Sequence, residues 1–211
     1  MRLLPTLLIA AACFGQTPEP VRPTAVEKAI VQELSEARWR PKVYVKHLKA
    51  LREYFDGKVW RLPDQVPLRT QEGVAALDEA IAFLESASSA GPLRFNEGLW
   101  QAARELAQDQ ARTGGVGHVG SQGSRLRERL DRQGTLSSTA GECISYGPED
   151  PRMIVLQLLI DDGVPDRGHR RTIFNPDLHQ AGAALASHAQ WGQVCVVDFA
   201  DGFLPNRPSR Q

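Results

Sequence analysis

Gly117-His118-Val119-Gly120-Ser121, Gly141-Glu142-Cys143-Ile144 and Asp161-Asp162-Gly163-Val164-Pro165-Asp166-Arg167-Gly168-His169-Arg170 follow one another in this 211-residue chain. Each segment carries an imidazole or carboxylates beside glycine. Glycine admits sharp turns and close backbone approach, so these segments suit side chains aimed into a shared cleft. Such a residue set suits a divalent metal or acid/base chemistry.

The elements around these motifs read as a helical first half and a mixed second half. Thr24 and Glu27 form a capping-box pair before a helix with Val26, Ile30 and Leu34 on one face. Pro41 opens a second helix that carries Val45, Leu48 and Phe55, and residues 56 to 69 read as a loop. A third helix places Val74, Leu77, Ile81 and Leu84 at helical spacing and ends near Ser88 to Pro92. Asn96 is the expected N-cap of a fourth, with Leu99, Ala103, Leu106 and Gln110 inward and Gly114-Gly115 stopping it just before His118.

A short helix from Ser124 to Gln133 ends on Gly134, and Asp150-Pro151 opens a buried helix over Met153 to Ile160. Glu142–Tyr146, Ala181–Ala186 and Gln193–Phe199 read as strands, and the chain from 204 reads as a polar tail. No linker longer than an ordinary loop divides residues 24 to 203, so they form one domain.

Arg2, the apolar run Leu3 to Ala12 and the small residues before Gln16 have the layout of a secretory signal over residues 1 to 15. The run is shorter than the about 20 residues that span a bilayer. A Pro-rich linker, 16 to 23, follows. The chain is expected to be secreted or periplasmic; the alternative is a lipoprotein anchored through Cys13. The 25 basic and 25 acidic residues cancel, with no basic run, which excludes nucleic acid as a partner. In an oxidising compartment the remaining pair, Cys143 and Cys195, is expected to form a disulfide, worth on the order of 4 kcal/mol if unstrained. Two buried thiols are the alternative.

The order Gly-His-x-Gly, Gly-Glu-x-Ile and Gly-His-Arg, ending in Trp191 to Phe199, resembles the CAP superfamily, in particular a bacterial branch. That group holds the cysteine-rich secretory proteins, antigen 5 and the pathogenesis-related proteins, or SCP-like domains. Glu33-Leu34-Ser35-Glu36-Ala37-Arg38 is similar to its first helix. The resemblance implies an α+β fold, an α-β-α sandwich whose small, mostly antiparallel sheet is covered by helices. It also implies a cleft holding His118, Glu142, His169 and one more acid, with Asp162 the best match and Asp161 the reserve. Cys143 stands where the family usually has Asn, and Asp replaces the more common Glu as the fourth acid.

Two adjacent carboxylates at a helix C-terminus oppose its dipole, which favours a role for one of them; a salt bridge to Arg167, Arg170 or Arg171 is the competing reading. For Glu142 the competing reading is an ion pair with an arginine such as Arg125. His47, His179 and His188 match no motif and read as surface or packing residues. With zinc as the first candidate ion, His118 and His169 are the expected ligands. The resemblance implies a binding module for a lipid, glycan or protein ligand, a lipid or cell-envelope ligand being the first reading. The alternative is a metal-dependent hydrolase with Glu142 as base, although the chain has no His-Glu-x-x-His helix and no Gly-x-Ser-x-Gly elbow.

Overall fold

The computed structural model describes residues 21–63 and 67–206. The signal segment, Cys13 and most of the linker lie outside them. In chain order the helices are α1 (Ala25–Trp39), α2 (Pro41–Leu51), α3 (Val74–Ser86), α4 (Glu97–Thr113), α5 (Leu126–Gln133), α6 (Pro151–Ile160) and α7 (Gly168–Ile173). The strands are β1 (Phe55–Asp56), β2 (Val59–Trp60), β3 (Leu68–Arg69), β4 (Arg94–Phe95), β5 (Gly134–Leu136), β6 (Ala140–Tyr146), β7 (Gln180–His188), β8 (Gly192–Ala200) and β9 (Phe203–Pro205).

The central sheet runs β4-β7-β8-β6; β4 is parallel to β7 and the other pairs are antiparallel. Strand alternation sends successive side chains to opposite faces. Cys195, Val197 and Phe199 join Cys143, Ala181 and Ala183 on the face covered by α1, α6 and α7, where the largest apolar cluster lies. Ile144, Ala184, Val194 and Val196 pack on α4 from the other side, and Ala200 packs with Leu99, Ala102, Leu130 and Phe203. The molecule is therefore the expected α-β-α sandwich. At Gly182, an added Cβ would overlap the backbone of Leu99 and Trp100, so glycine lets α4 approach β7.

The capping residues behave as the sequence dictates. Thr24 and Glu27 close a capping box on α1; Asn96 accepts from Gly98 and Leu99; and Asp150 accepts from Met153 with Pro151 in the first turn of α6. Arg38 is fully buried on α1 and, among the described residues, pairs with no carboxylate. It donates to the carbonyls of Ala90, Gly91, Ile173, Asn175 and Leu178, fastening two loops to the first helix.

Four expectations are corrected. Val26 is exposed, and Val31 and Ala37 complete the inner face of α1. Phe55 lies beyond α2, in a small three-stranded sheet that occupies part of the expected 56–69 loop and stacks Phe55 on Trp60. The tail begins later than 204, because Phe203–Pro205 pairs with β5 and Asn206 N–H donates to the Gln133 carbonyl.

The fourth correction is the disulfide. Cys143 lies opposite Val197 and Cys195 opposite Ser145, so the cysteines are diagonal neighbours on one face. Diagonal pairs sit about 7–8 Å apart, beyond the Cα spacing of roughly 4.4–6.8 Å that a disulfide needs. Both are buried free thiols, with burial pushing each above the ordinary thiol range. A thiol reagent is expected to label neither cysteine in the folded protein and both after guanidinium unfolding. Labelling that stays blocked until a reductant is added would restore the bridge.

Candidate functional site

β6 is an edge strand, and the candidate residues approach it from both faces. Glu142 follows the parity of Ile144, toward α4 and α5, whereas Cys143 faces the opposite layer. The Glu142 side chain is only 3% exposed. A buried carboxylate needs partners, and it has two. Oε2 accepts from Nη2 of Arg129, a fully buried residue of α5, and Oε1 lies 2.8 Å from Nδ1 of His118. Glu142 thus makes the ion pair of the competing reading, with Arg129 in place of Arg125.

His118 is positioned by the loop after α4. Gly114 ends that helix in the left-handed conformation at φ 71°. Tyr146 Oη accepts from Gly117 N–H at 2.8 Å and donates to Gln110 Oε1 at 3.0 Å, while Gln110 Nε2 donates to the Gly117 carbonyl at 2.6 Å. Arg129 Nη1 donates to the carbonyls of His118 and Ser124 at 3.3 and 2.9 Å. Buried His188 meets the Gly115 carbonyl through Nε2 at 3.0 Å, so this packing histidine also braces the loop. The His118 side chain is left 56% exposed, between exposed Val116 and Val119.

The second imidazole is held in the same way. Asp161 caps α6 in the left-handed conformation (φ 58°), which Asp tolerates better than most residues. Its carboxylate is buried: Oδ1 lies 2.7 Å from Nδ1 of His169, and Oδ2 accepts from the N–H groups of His169 and Arg170 at 3.0 and 3.1 Å. The His169 carbonyl lies 3.8 Å from Cys143 Sγ, which places this pair against β6.

Asp162 is corrected. It accepts from the N–H groups of Gln71, Glu72 and Gly73 at 2.7, 2.8 and 3.3 Å, fastening the start of α3, and the acid at the second histidine is Asp161. The nearby arginines pair elsewhere. Arg167 bonds Glu72 and Glu79, Arg170 bonds Glu79, and Arg171 lies 3.5 Å from Asp166.

Two residues at the site escaped the sequence reading, Arg129 and Asp198. Arg129 hides in the charged stretch Arg125 to Arg132. Asp198 is fully buried on β8 directly opposite Glu142. Its sequence signal was parity, since 194, 196, 198 and 200 share a face whose other members are apolar.

The expected metal can be tested against the donors. Both carboxylates are committed to imidazole Nδ1 atoms, and Glu142 to Arg129 as well. Among the described residues, no three His, Cys, Asp or Glu side chains gather into a group able to hold a metal ion. A carboxylate at Nδ1 is also how a metal-ligating histidine is oriented, but two imidazoles are fewer than the three protein ligands that catalytic zinc commonly takes. Each imidazole instead stands in its own acid-held pair. Among the described residues, no hydroxyl or thiol hydrogen-bonds either ring.

The family model for the cysteine-rich secretory protein family, CAP, matches residues 38–199. The chain belongs to this family. Two solved structures are similar to it. An outer surface protein from Borrelia burgdorferi has a TM-score of 0.43 and 18% identity, covering 51% of this chain and 76% of its own. An extracellular protein containing an SCP domain, from Bacillus anthracis str. Ames, has a TM-score of 0.42 and 18% identity, covering 52% of this chain and 33% of its own. No curated protein matches. Among the described residues, no helix is long and apolar enough to cross a membrane.

The Arg167 network gives this CAP domain an acid-sensitive tie between α3 and the loop before α7. The Arg167 guanidinium holds the Glu72 carboxyl down to about 2 from its ordinary 4.5. A depressed carboxyl stabilises above its unfolded pKa and loses that contribution as pH falls through the folded one. The tie is therefore complete above about pH 4.5 and lost toward pH 2. Amide protection factors across 71–79, taken relative to the intrinsic exchange rate at each pH, are expected to fall over this window, and Glu72→Gln should flatten the pH dependence. An unchanged profile in that variant would rule out Glu72 as the acid responsible.

Proposed function

We propose that this CAP domain is an extracellular binding module, with the surface around His118 taking a lipid of the cell envelope. The observation that carries the reading is the exposed imidazole held at Nδ1 by a buried carboxylate and flanked by exposed Val116 and Val119. A carboxylate at Nδ1 favours the Nδ1–H form, which leaves Nε2 as an outward acceptor. Such an atom suits a headgroup that offers a hydroxyl or ammonium proton, and the valines suit the acyl chains below it. Among the described residues, no hydroxyl or thiol is paired with the ring, which favours binding over nucleophilic turnover by a side chain.

Vesicle co-sedimentation tests this. The full mature protein is expected to bind vesicles of phosphatidylethanolamine and phosphatidylglycerol, with or without chelator, and to bind phosphatidylcholine vesicles more weakly. His118→Ala and Val116→Ser/Val119→Ser should each lose about tenfold or more in affinity, since burying one valine is worth about 1.5–3 kcal/mol. Equal binding by the variants would overturn the reading, as would binding to purified envelope glycan alone. Zinc-dependent hydrolysis of lipid or glycan, abolished in Glu142→Gln, would favour the hydrolase instead.

A further inference from the structure

Asp198 stands where a strand should place an apolar side chain. Val194 and Val196 lie on one side of it along β8 and Ala200 on the other, so its carboxyl interrupts the apolar layer beneath α4. Across the sheet it faces Glu142 on β6 and Gly182 on β7. The residue is 0% exposed, and neither carboxylate oxygen finds a donor. The charged groups bearing on it are Glu142 from β6 and Arg129 from α5. β7 presents only Gly182 at this level, and His118 lies beyond, on the far side of Glu142.

Charge balance decides the state of this cluster. One fully buried guanidinium faces two buried acids; its Nη2 is paired with Glu142, and its Nε has no partner. A second buried carboxylate would carry an uncompensated charge, which costs several kcal/mol even after relaxation. When like charges share a buried site, one of them keeps its proton. Two ionised carboxylates also have no hydrogen between them. A proton on Asp198 removes the uncompensated charge and lets its O–H donate to a Glu142 oxygen, leaving one Asp198 oxygen without a donor.

We infer that Asp198 is a neutral carboxylic acid that donates a hydrogen bond to Glu142, and is thereby a positioning residue for His118. The assignment agrees with the direction of its titration: burial first, then Glu142, raises the Asp198 carboxyl well above the ordinary range. Glu142 then receives hydrogens from three sides, Arg129, His118 and Asp198, so its plane, and with it the direction of the imidazole, is fixed. The inference stands whether or not the His118 surface takes lipid.

Two measurements on the full mature protein test it. Infrared difference spectra at pH 7 are expected to show a carboxylic-acid C=O band in the wild type that vanishes in Asp198→Asn. Ring 15N shifts should report the same His118 tautomer in wild type and in Asp198→Asn, whose amide still donates. In Asp198→Ala the tautomer ratio should move by about fivefold, the worth of one lost hydrogen bond. A purely structural Asp198 would leave the His118 tautomer unchanged in every variant that folds. The inference is overturned if the band is absent in the wild type, or if Asp198→Asn shifts His118. Should Asp198→Ala fail to fold, the band and the Asn variant still decide.

Discussion

The buried Glu142 carboxylate is the constraint around which one side of this molecule is built. An acid on an apolar sheet has to be compensated, and here the compensation arrives from three elements at once. α5 brings Arg129, the loop after α4 brings His118, and β8 brings Asp198. Arg129 also holds the His118 and Ser124 carbonyls, so the group that balances the charge also shapes the loop that presents the imidazole. Packing, electrostatics and the candidate site are therefore a single arrangement. A change at Arg129 is expected to reach all three.

The opposite face solves the same problem with different parts. Asp161 ends α6, caps the N–H groups at the start of α7 and orients His169 in one turn of chain. Its neighbour Asp162 turns away and ties down α3. The result is two imidazoles at one edge strand, each with Nδ1 occupied and neither sharing its acid with the other.

Much of the fold was legible because its signals are local. Caps at Thr24, Asn96 and Asp150, the helical spacing along α3 and α4 and the alternation along β6, β7 and β8 each bound a few residues to one geometry. Motif order directed attention to His118, Glu142 and His169. What remained hidden depends on register and on partners distant in sequence. The choice between Asp161 and Asp162 turns on a left-handed residue, which composition does not reveal. The Cys143–Cys195 bridge failed on a two-residue offset between β6 and β8. Asp198 was visible only as an acid at an inward strand position, a signal that acquires meaning once Glu142 is known to lie opposite.

Arg129 is buried where it neutralises Glu142. Urea unfolding of Arg129→Met, alone and combined with Glu142→Gln, addresses this pairing most directly. Removing one partner of a buried pair should cost about 3–5 kcal/mol, whereas removing both charges should cost much less. The double variant is therefore predicted to be more stable than Arg129→Met alone. If the double variant is no more stable than Arg129→Met alone, the buried carboxylate is not what Arg129 serves.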